Sequence, residues 1–85
     1  MPHFVYMLQC AGDRIYTGYA TDVEARFEKH CAGKGAHFTK AFPPKKVLKI
    51  FELGTKSEAM SLEYKIKQLS RHEKELLISG LLELA

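Results

Sequence analysis

The chain has 85 residues, of which 46% are hydrophobic, 11% aromatic and 27% charged. This composition predicts one folded domain over residues 1–85 and excludes an intrinsically disordered chain. No segment approaches the roughly 20 apolar residues of a membrane span, and the first residues do not resemble a signal peptide, so we expect a cytoplasmic protein. Because Cys10 and Cys31 form no metal-binding pair, we expect two reduced thiols.

Basic side chains are concentrated in the middle of the chain, although the formal net charge is only +3. No Asp or Glu occurs from Lys29 to Phe51, and a one-sided basic segment of this kind is typical of proteins that contact phosphate backbones. A solvated lysine-rich loop that favours solubility explains the charge equally well. The candidate nucleic-acid-binding residues in this part of the chain are Lys34, Thr39, Lys40, Lys45 and Lys46.

The N-terminal part of the chain predicts two strands joined by a tight turn. Residues 4–8 are apolar or aromatic throughout, as expected of a central strand that is covered on both faces. The second strand is predicted over 14–20, where Gly18 indicates that another group approaches the backbone closely. Tyr6 and Tyr16 lie on the two strands, but whether they are directly opposed depends on a register that the sequence leaves open.

A helix is predicted to begin at Thr21, because Thr21 and Glu24 have the spacing of a capping box. Arg26 and His30 are four residues apart and therefore share one face of this helix. Gly33 predicts the end of the helix. Taken alone, Arg26 is better explained as a surface arginine paired with an acid, and His30 is equally well explained as a histidine favoured by the helix dipole.

Residues 33–44 are expected to lack regular structure, because they contain two glycines and a Pro-Pro pair. Phe38 and Phe42 in this segment either stack on an exposed base or anchor the loop to the core. A third strand is predicted over 45–53. Two further capping boxes, at Thr55/Glu58 and Ser70/Glu73, predict helices over about 56–69 and 70–79.

Four features of the chain, taken in order, resemble the GIY-YIG nuclease superfamily. They are Phe4-Val5-Tyr6, Tyr16-Thr17-Gly18, the pair Arg26 and His30, and the segment 61–67 with Glu63. The similarity covers about residues 4–77, and the short form is similar to the small single-domain YhbQ-like (UPF0213) branch. It implies an α/β (α+β) fold of order β-β-α-β-α-α, in which helices flank a three-stranded antiparallel sheet.

The resemblance implies a metal-dependent endonuclease that hydrolyses phosphodiester bonds of DNA, with repair or recombination structures as candidate substrates. Its catalytic residues would be Tyr6, Tyr16, Arg26 and His30, and Glu63 would bind one Mg²⁺ or Mn²⁺ ion. A guanidinium matches a phosphate, and one carboxylate suffices for Mg²⁺ when water and substrate complete the coordination shell. Tyr16 is the candidate general base or water positioner, which requires that the phenol pKa of ~10 be lowered. Tyr6 would support it, and His30 would orient a hydroxyl or accept a proton.

Two other functions are consistent with the sequence. A nucleic-acid-binding module without useful turnover is favoured because these 85 residues contain no Asn, which many family nucleases carry after the metal-binding glutamate. A protein-interaction domain, with a weak homodimer through the leucine-rich segment 76–84, is the third candidate. Glu63 itself has an alternative explanation as a surface ion pair with Lys67. DNA is the expected partner, with no membrane and no second protein domain.

Overall fold

The computed structural model describes residues 2–84, which form a three-stranded antiparallel sheet in the order β2-β1-β3 with helices packed on it. The strands are β1 (His3–Cys10), β2 (Arg14–Ala20) and β3 (Pro44–Leu53). The helices are α1 (Val23–Cys31), α2 (His37–Ala41), α3 (Lys56–Lys67) and α4 (Arg71–Ile78). The predicted α+β class and the antiparallel sheet are therefore confirmed. Within residues 2–84, every helix is too short or too polar to cross a bilayer.

β1 is the central strand, and its alternating side chains build two cores on opposite faces of the sheet. All four residues from Val5 to Leu8 are at most 1% exposed, which confirms that the strand is covered on both sides. The core beneath α3 and α4 consists of Val5, Met7, Ala59, Ile66 and Leu77. The core beneath α1 and α2 consists of Tyr6, Leu8, Cys10 and Ala20, with Phe27 and Phe38 packed against it. Burying a large apolar side chain contributes roughly 1.5–3 kcal/mol.

The register between β1 and β2 settles how the two tyrosines are related. Tyr6 faces Gly18, and Leu8 faces Tyr16. Tyr6 and Tyr16 are therefore diagonal neighbours rather than a directly opposed pair. Because side chains alternate along a strand, both phenols project to the side of the sheet that carries α1 and α2.

The predicted start of the first helix is wrong by one residue. α1 begins after Asp22, whose carboxylate accepts a hydrogen bond from the backbone N–H of Ala25 at 3.1 Å. A carboxylate at this position satisfies an unpaired N–H and also interacts favourably with the positive end of the helix dipole. Asp22 is the N-cap for this reason, in place of the predicted box of Thr21 and Glu24.

The prediction that residues 33–44 lack regular structure is also wrong, because this segment contains α2. Gly35 precedes the helix and Pro43 follows it, so the residues that break helices bound α2 instead of interrupting it. A helix of only five residues has little stability of its own, and α2 is held by packing. Phe38 and Thr39 are the side chains that it turns towards the sheet.

The last two helices begin as their sequences predict. Ser70 and Glu73 form the full reciprocal capping box. The backbone N–H of Glu73 donates to Ser70 Oγ at 3.2 Å, and the backbone N–H of Ser70 donates to Glu73 Oε1 at 3.0 Å. Thr55 accepts from the backbone N–H of Glu58 at 3.1 Å, while the Glu58 carboxylate accepts from the Thr55 hydroxyl at 3.1 Å. These caps fix where α3 starts, and so which of its residues face β1 and β2.

Candidate active site

Gly18 makes room for two phenols at the middle of β2. A Cβ atom on Gly18 would lie 2.5 Å from Tyr6 Oη and 2.9 Å from Tyr16 Cε2, closer than such atoms approach in proteins. The centroids of the two phenol rings are 6.3 Å apart, and the rings are tilted by 45°. The close approach predicted at Gly18 is therefore made by the pair of tyrosines.

His30 projects from α1 into this site and is only 2% exposed. Its Nε2 atom lies 2.8 Å from Tyr6 Oη, and its Nδ1 atom lies 2.7 Å from Thr39 Oγ1. The ring also meets Tyr16 edge to face, with 5.2 Å between the centroids. His30 is thus a buried, hydrogen-bonded part of the site, and the explanation by the helix dipole alone is insufficient.

The short helix α2 closes the site from the side of His30. Thr39 is 1% exposed, and its hydroxyl lies 2.9 Å from the carbonyl oxygen of Ala36 as well as against His30. The prediction that Thr39 contacts phosphate is therefore corrected, because its hydroxyl is engaged inside the protein. Phe38 stacks on Tyr16 at 5.7 Å, and Phe42 lies 5.3 Å from Phe38, so both aromatics anchor the segment to the core.

Arg26 and Glu63 act on the same two phenols with opposite charges. The guanidinium of Arg26 lowers the pKa of both Tyr6 and Tyr16, and the carboxylate of Glu63 raises both. Arg26 is exposed and takes part in none of the ion pairs found within residues 2–84. Glu63 is half-buried, with 19% of its side chain exposed, and lies 3.5 Å from Lys67, as the surface-pair interpretation expected. α1 and α3 thus bring opposite charges to one pair of phenols.

Burial controls the protonation of the tyrosines. It is the largest cause that raises the pKa of Tyr6, and the charge of Tyr16 adds to it. Burial is also the main cause of the raised pKa of Tyr16, followed by the charge of Glu63. Both phenols are therefore protonated at neutral pH in the protein alone. Burial followed by the charge of Arg26 lowers the pKa of His30, so its imidazole is neutral and can accept a proton.

We expect the stability of the protein to fall as the pH drops below about 6.5, because of His30. The unfolded chain protonates this histidine at its ordinary pKa, whereas the folded pKa is lower, so acid favours the unfolded state between the two values. The loss is at most about 1.4 kcal/mol per pH unit and ends below the folded pKa. Urea denaturation between about pH 7.5 and 5 measures it.

The pH dependence from His30 has a matched control in His37, which is exposed. The His37→Gln variant should keep the wild-type dependence of the free energy of unfolding on pH. The His30→Gln variant should lose this dependence between about pH 7.5 and 5. Asp13 and Glu73 have lowered pKa values, so their contributions are lost only at more acidic pH. An equal slope in both histidine variants would contradict the assignment to His30.

The remaining basic candidates are all exposed. Lys34 lies between α1 and α2, and Lys40 lies on α2. Lys45 and Lys46 lie at the start of β3. All four ammonium groups are accessible to an anionic partner, in contrast to the buried Thr39.

Comparison with known proteins identifies the family. Residues 2–76 match the model of the GIY-YIG catalytic domain. This chain belongs to the GIY-YIG family. The matched range contains the residues gathered above: Tyr6 on β1, Tyr16 and Gly18 on β2, and Arg26 and His30 on α1.

Relatives of this GIY-YIG protein are found in bacteria and archaea. The chain is 46% identical to the UPF0213 protein BH0048 of Halalkalibacterium halodurans over 93% of its own length and 84% of that protein. It is 44% identical to the UPF0213 protein NP_0776A of Natronomonas pharaonis over 91% of each chain. The solution NMR structure of the UPF0213 protein BH0048 from Bacillus halodurans superimposes with a TM-score of 0.61 at 46% identity, over 93% of this chain and 84% of that one.

GIY-YIG nucleases are generally metal-dependent, and the sequence predicts Glu63 as the carboxylate that binds such an ion. Within residues 2–84 no three His, Cys, Asp or Glu side chains cluster as a metal cage. Mg²⁺ does not need one, because it retains several waters and binds through one or two carboxylates plus substrate phosphate. Glu63 is half-buried, and its charge raises the pKa of both phenols. Within residues 2–84 its only ion-pair partner is Lys67. A single-carboxylate site is therefore chemically compatible with the residues present.

The sequence missed the buried role of Thr39 and the need for Gly35. A Cβ atom on Gly35 would overlap Nδ1 of His30, so this glycine lets the segment before α2 close over the imidazole. In the sequence, Gly35 counts only as one of the two glycines that predict irregular structure over residues 33–44. Only the tertiary contact with His30 reveals its purpose.

Proposed function

We propose that this GIY-YIG protein is a metal-dependent endonuclease that hydrolyses phosphodiester bonds of DNA. The observation that supports it best is the convergence of Arg26 and Glu63 on the pair Tyr6 and Tyr16, with His30 bonded to Tyr6. A small core needs none of these polar groups at one place. Their types match the requirements of phosphodiester hydrolysis, which are a positioned water, a proton acceptor and cations for the phosphoryl oxygens.

In this mechanism Arg26 binds the phosphate at the scissile bond. Its planar guanidinium donates two parallel hydrogen bonds to phosphoryl oxygens and stabilises the negative charge that accumulates in the transition state. Because Arg26 is exposed and has no acidic partner among the described residues, no ion pair has to be broken before it binds substrate.

Tyr6, Tyr16 and His30 position the attacking water and remove its proton. The neutral imidazole of His30 accepts a proton through the hydroxyl of Tyr6, which lies 2.8 Å from Nε2. Tyr16 is less buried than Tyr6, and its hydroxyl contacts the water or the phosphate as well. Glu63 would hold the divalent ion, which would supply Lewis-acid stabilisation of negative charge at the scissile phosphate.

DNA binding in this proposal comes from exposed lysines. Lys34, Lys40, Lys45 and Lys46 contact backbone phosphates, which gives affinity and salt dependence but carries no base sequence information. The proposal includes action in the cytoplasm, on branched DNA of the kind found in repair or recombination. The proposal also includes a weak homodimer through residues 76–84. In such a dimer a second copy would cover apolar side chains of this segment such as Leu81, which is 77% exposed.

Cleavage of supercoiled plasmid, branched DNA and single strands with Mg²⁺ or Mn²⁺ tests the proposal. We expect Glu63→Gln to lower the cleavage rate by at least about 100-fold, because it removes the charged ligand of the metal. Glu83→Gln is the matched control, since Glu83 is an exposed carboxylate in the C-terminal segment. It should cleave at the wild-type rate. Equal nicking by Glu63→Gln and wild type would show contamination and refute the proposal.

The second candidate is a nucleic-acid-binding module without turnover. Two observations favour it: the 85 residues contain no Asn, and the Glu63 carboxylate already has an ammonium partner in Lys67 at 3.5 Å. This function predicts binding whose affinity falls steeply with salt, unaccompanied by cleavage under any metal condition. Fluorescence anisotropy with labelled DNA, run beside the cleavage assay, separates the two functions.

A further inference from the structure

We propose that Thr39 is a positioning residue that holds His30 in the tautomer with its proton on Nδ1, so that Nε2 is free to accept from Tyr6. This inference rests on the proposed function for its catalytic consequence, but the tautomer itself is a property of the protein alone. It assigns a role to α2, which carries Thr39.

The argument starts from the single proton of the Thr39 hydroxyl. Oγ1 of Thr39 lies 2.9 Å from the carbonyl oxygen of Ala36 and 2.7 Å from Nδ1 of His30. A carbonyl oxygen can only accept, so two oxygens at this distance require the hydroxyl proton between them. Thr39 therefore donates to Ala36 and has only lone pairs left for His30.

The proton between Thr39 and His30 must then belong to the imidazole. With Nδ1 protonated and the ring neutral, Nε2 carries a lone pair and accepts from the Tyr6 hydroxyl at 2.8 Å. Every polar atom of the chain Tyr6–His30–Thr39–Ala36 is satisfied by this assignment, and all bonds run in one direction. Tyr6 Oη donates its proton in this arrangement, and its lone pairs can still accept a hydrogen bond.

The opposite tautomer leaves one unfavourable contact. If Nε2 carried the proton, Nδ1 would need the Thr39 hydroxyl as donor, and the oxygens of Thr39 and Ala36 would face each other at 2.9 Å without a proton. The Ala36 carbonyl would still accept from the backbone N–H of Lys40 at 3.2 Å, so the opposite tautomer loses one hydrogen bond. Water cannot replace this bond, because His30 and Thr39 are at most 2% exposed, and its loss costs roughly 0.5–1.5 kcal/mol. That difference corresponds to a population ratio of about 2 to 13 in favour of the Nδ1–H form.

The surroundings of Thr39 keep this geometry in place. Gly35 allows the chain to pass directly over Nδ1 of His30, where any side chain would overlap the ring. Phe38, the residue before Thr39, stacks on Tyr16 at 5.7 Å and so ties α2 to β2. The hydroxyl of Thr39 is consequently held against the imidazole from two directions.

Setting the tautomer has a catalytic consequence under the proposed function. A proton leaves the attacking water for Tyr6 Oη while the proton of Tyr6 passes to Nε2 of His30, which becomes an imidazolium whose Nδ1–H still donates to Thr39. The exchange is balanced, because the water becomes a hydroxide, His30 gains one positive charge and Tyr6 stays neutral. With the other tautomer Nε2 carries a proton already, and the transfer cannot occur.

Nitrogen-15 NMR of the histidine rings tests the inference on the intact protein. The ring nitrogens of His30 should show the Nδ1–H tautomer at neutral pH in the wild type and in Thr39→Ser. In Thr39→Val, which has nearly the same shape but no hydroxyl, the Nδ1–H signature should be lost or mixed with Nε2–H. A wild-type His30 in the Nε2–H form overturns the inference without any variant, and so does an unchanged Nδ1–H form in folded Thr39→Val.

Cleavage assays on the same variants separate this inference from the proposed function. We expect Thr39→Val to lower the rate by about 10- to 100-fold and Thr39→Ser to restore it. Absence of cleavage in the wild type would refute the nuclease while leaving the tautomer measurement valid. Wild-type cleavage by a folded Thr39→Val whose tautomer has changed would refute only the catalytic role of Thr39. If Thr39→Val does not fold, Thr39→Ser and the wild-type spectrum still decide the tautomer.

Discussion

The Gly18→Ala variant is expected to lose both stability and cleavage activity. Its new Cβ atom would lie 2.5 Å from Tyr6 Oη and 2.6 Å from Tyr6 Cζ, distances at which atoms strongly repel. The phenol of Tyr6 cannot move aside easily, because it is 1% exposed and bonded to His30 at 2.8 Å. Overpacking of this kind costs about 1–3 kcal/mol or more, out of the roughly 5–15 kcal/mol typical of a small domain.

The same displacement disorganises the site. Tyr6 and Tyr16 both meet the new methyl group, so the hydroxyls that position the water shift together. A misplacement of about 1 Å can lower a catalysed rate by about 100-fold, which is the loss we expect in the DNA cleavage assay. Urea denaturation gives the accompanying loss of stability.

Gly54→Ala is the matched control for Gly18→Ala. The methyl group added at Gly54 would meet only the flexible carboxylate end of Glu58, at 3.4 Å. It should therefore leave cleavage unchanged and alter stability by less than about 1 kcal/mol. Wild-type stability and activity in Gly18→Ala would show that β2 relaxes freely and that the close packing of the phenols is unimportant.

Arg26→Ala is expected to lower the cleavage rate by about 100- to 1,000-fold, the usual cost of removing one group that stabilises transition-state charge. Stability should change little, because the side chain is exposed and makes no ion pair among the described residues. Arg26→Lys should recover only part of the rate, since an ammonium group cannot donate two parallel hydrogen bonds to a phosphate. Single-turnover cleavage with saturating DNA separates this effect from weaker binding.

Arg71→Ala provides the comparison for Arg26. It removes the same group and charge from α4, where Arg71 pairs with Asp13 at 3.1 Å and with Glu75 at 3.6 Å. Both pairs are exposed and screened by solvent, so we expect only a small loss of stability and no loss of rate. Similar losses of rate in Arg26→Ala and Arg71→Ala would mean that net charge, rather than a placed guanidinium, governs cleavage.

Much of the fold follows from local patterns. The unbroken apolar run at Val5–Leu8 predicted a strand covered on both faces, and the caps at Thr55 and Ser70 predicted where α3 and α4 begin. Local signals failed where two were in competition. Asp22 was the stronger cap than Thr21, and the breakers around residues 37–41 bounded a helix that only packing stabilises.

The candidate site could be predicted as a set of residue types, and their catalytic and binding roles remain predictions. Their relation in space could not be predicted. Thr39 was placed among the candidate phosphate contacts because it lies in the basic segment with Lys34, Lys40, Lys45 and Lys46. The structure buries it against His30 instead, at 1% exposure.

The sequence did not predict α2, and Glu63 was a candidate only through the family resemblance. The amino-acid sequence alone determined the order of the three strands and the other three helices, the central strand and the candidate residues Tyr6, Tyr16, Arg26 and His30. These are properties of periodicity, capping and motif spacing, which act over a few residues. Only the tertiary structure decided that Tyr6 forms a hydrogen bond with His30, which is 24 residues away in the chain. It also decided that Thr39, on a separate helix, forms a hydrogen bond with the other ring nitrogen of His30. The physical reason is that such contacts depend on how α1 and α2 pack on the sheet, and a pattern within one element does not contain the position of another.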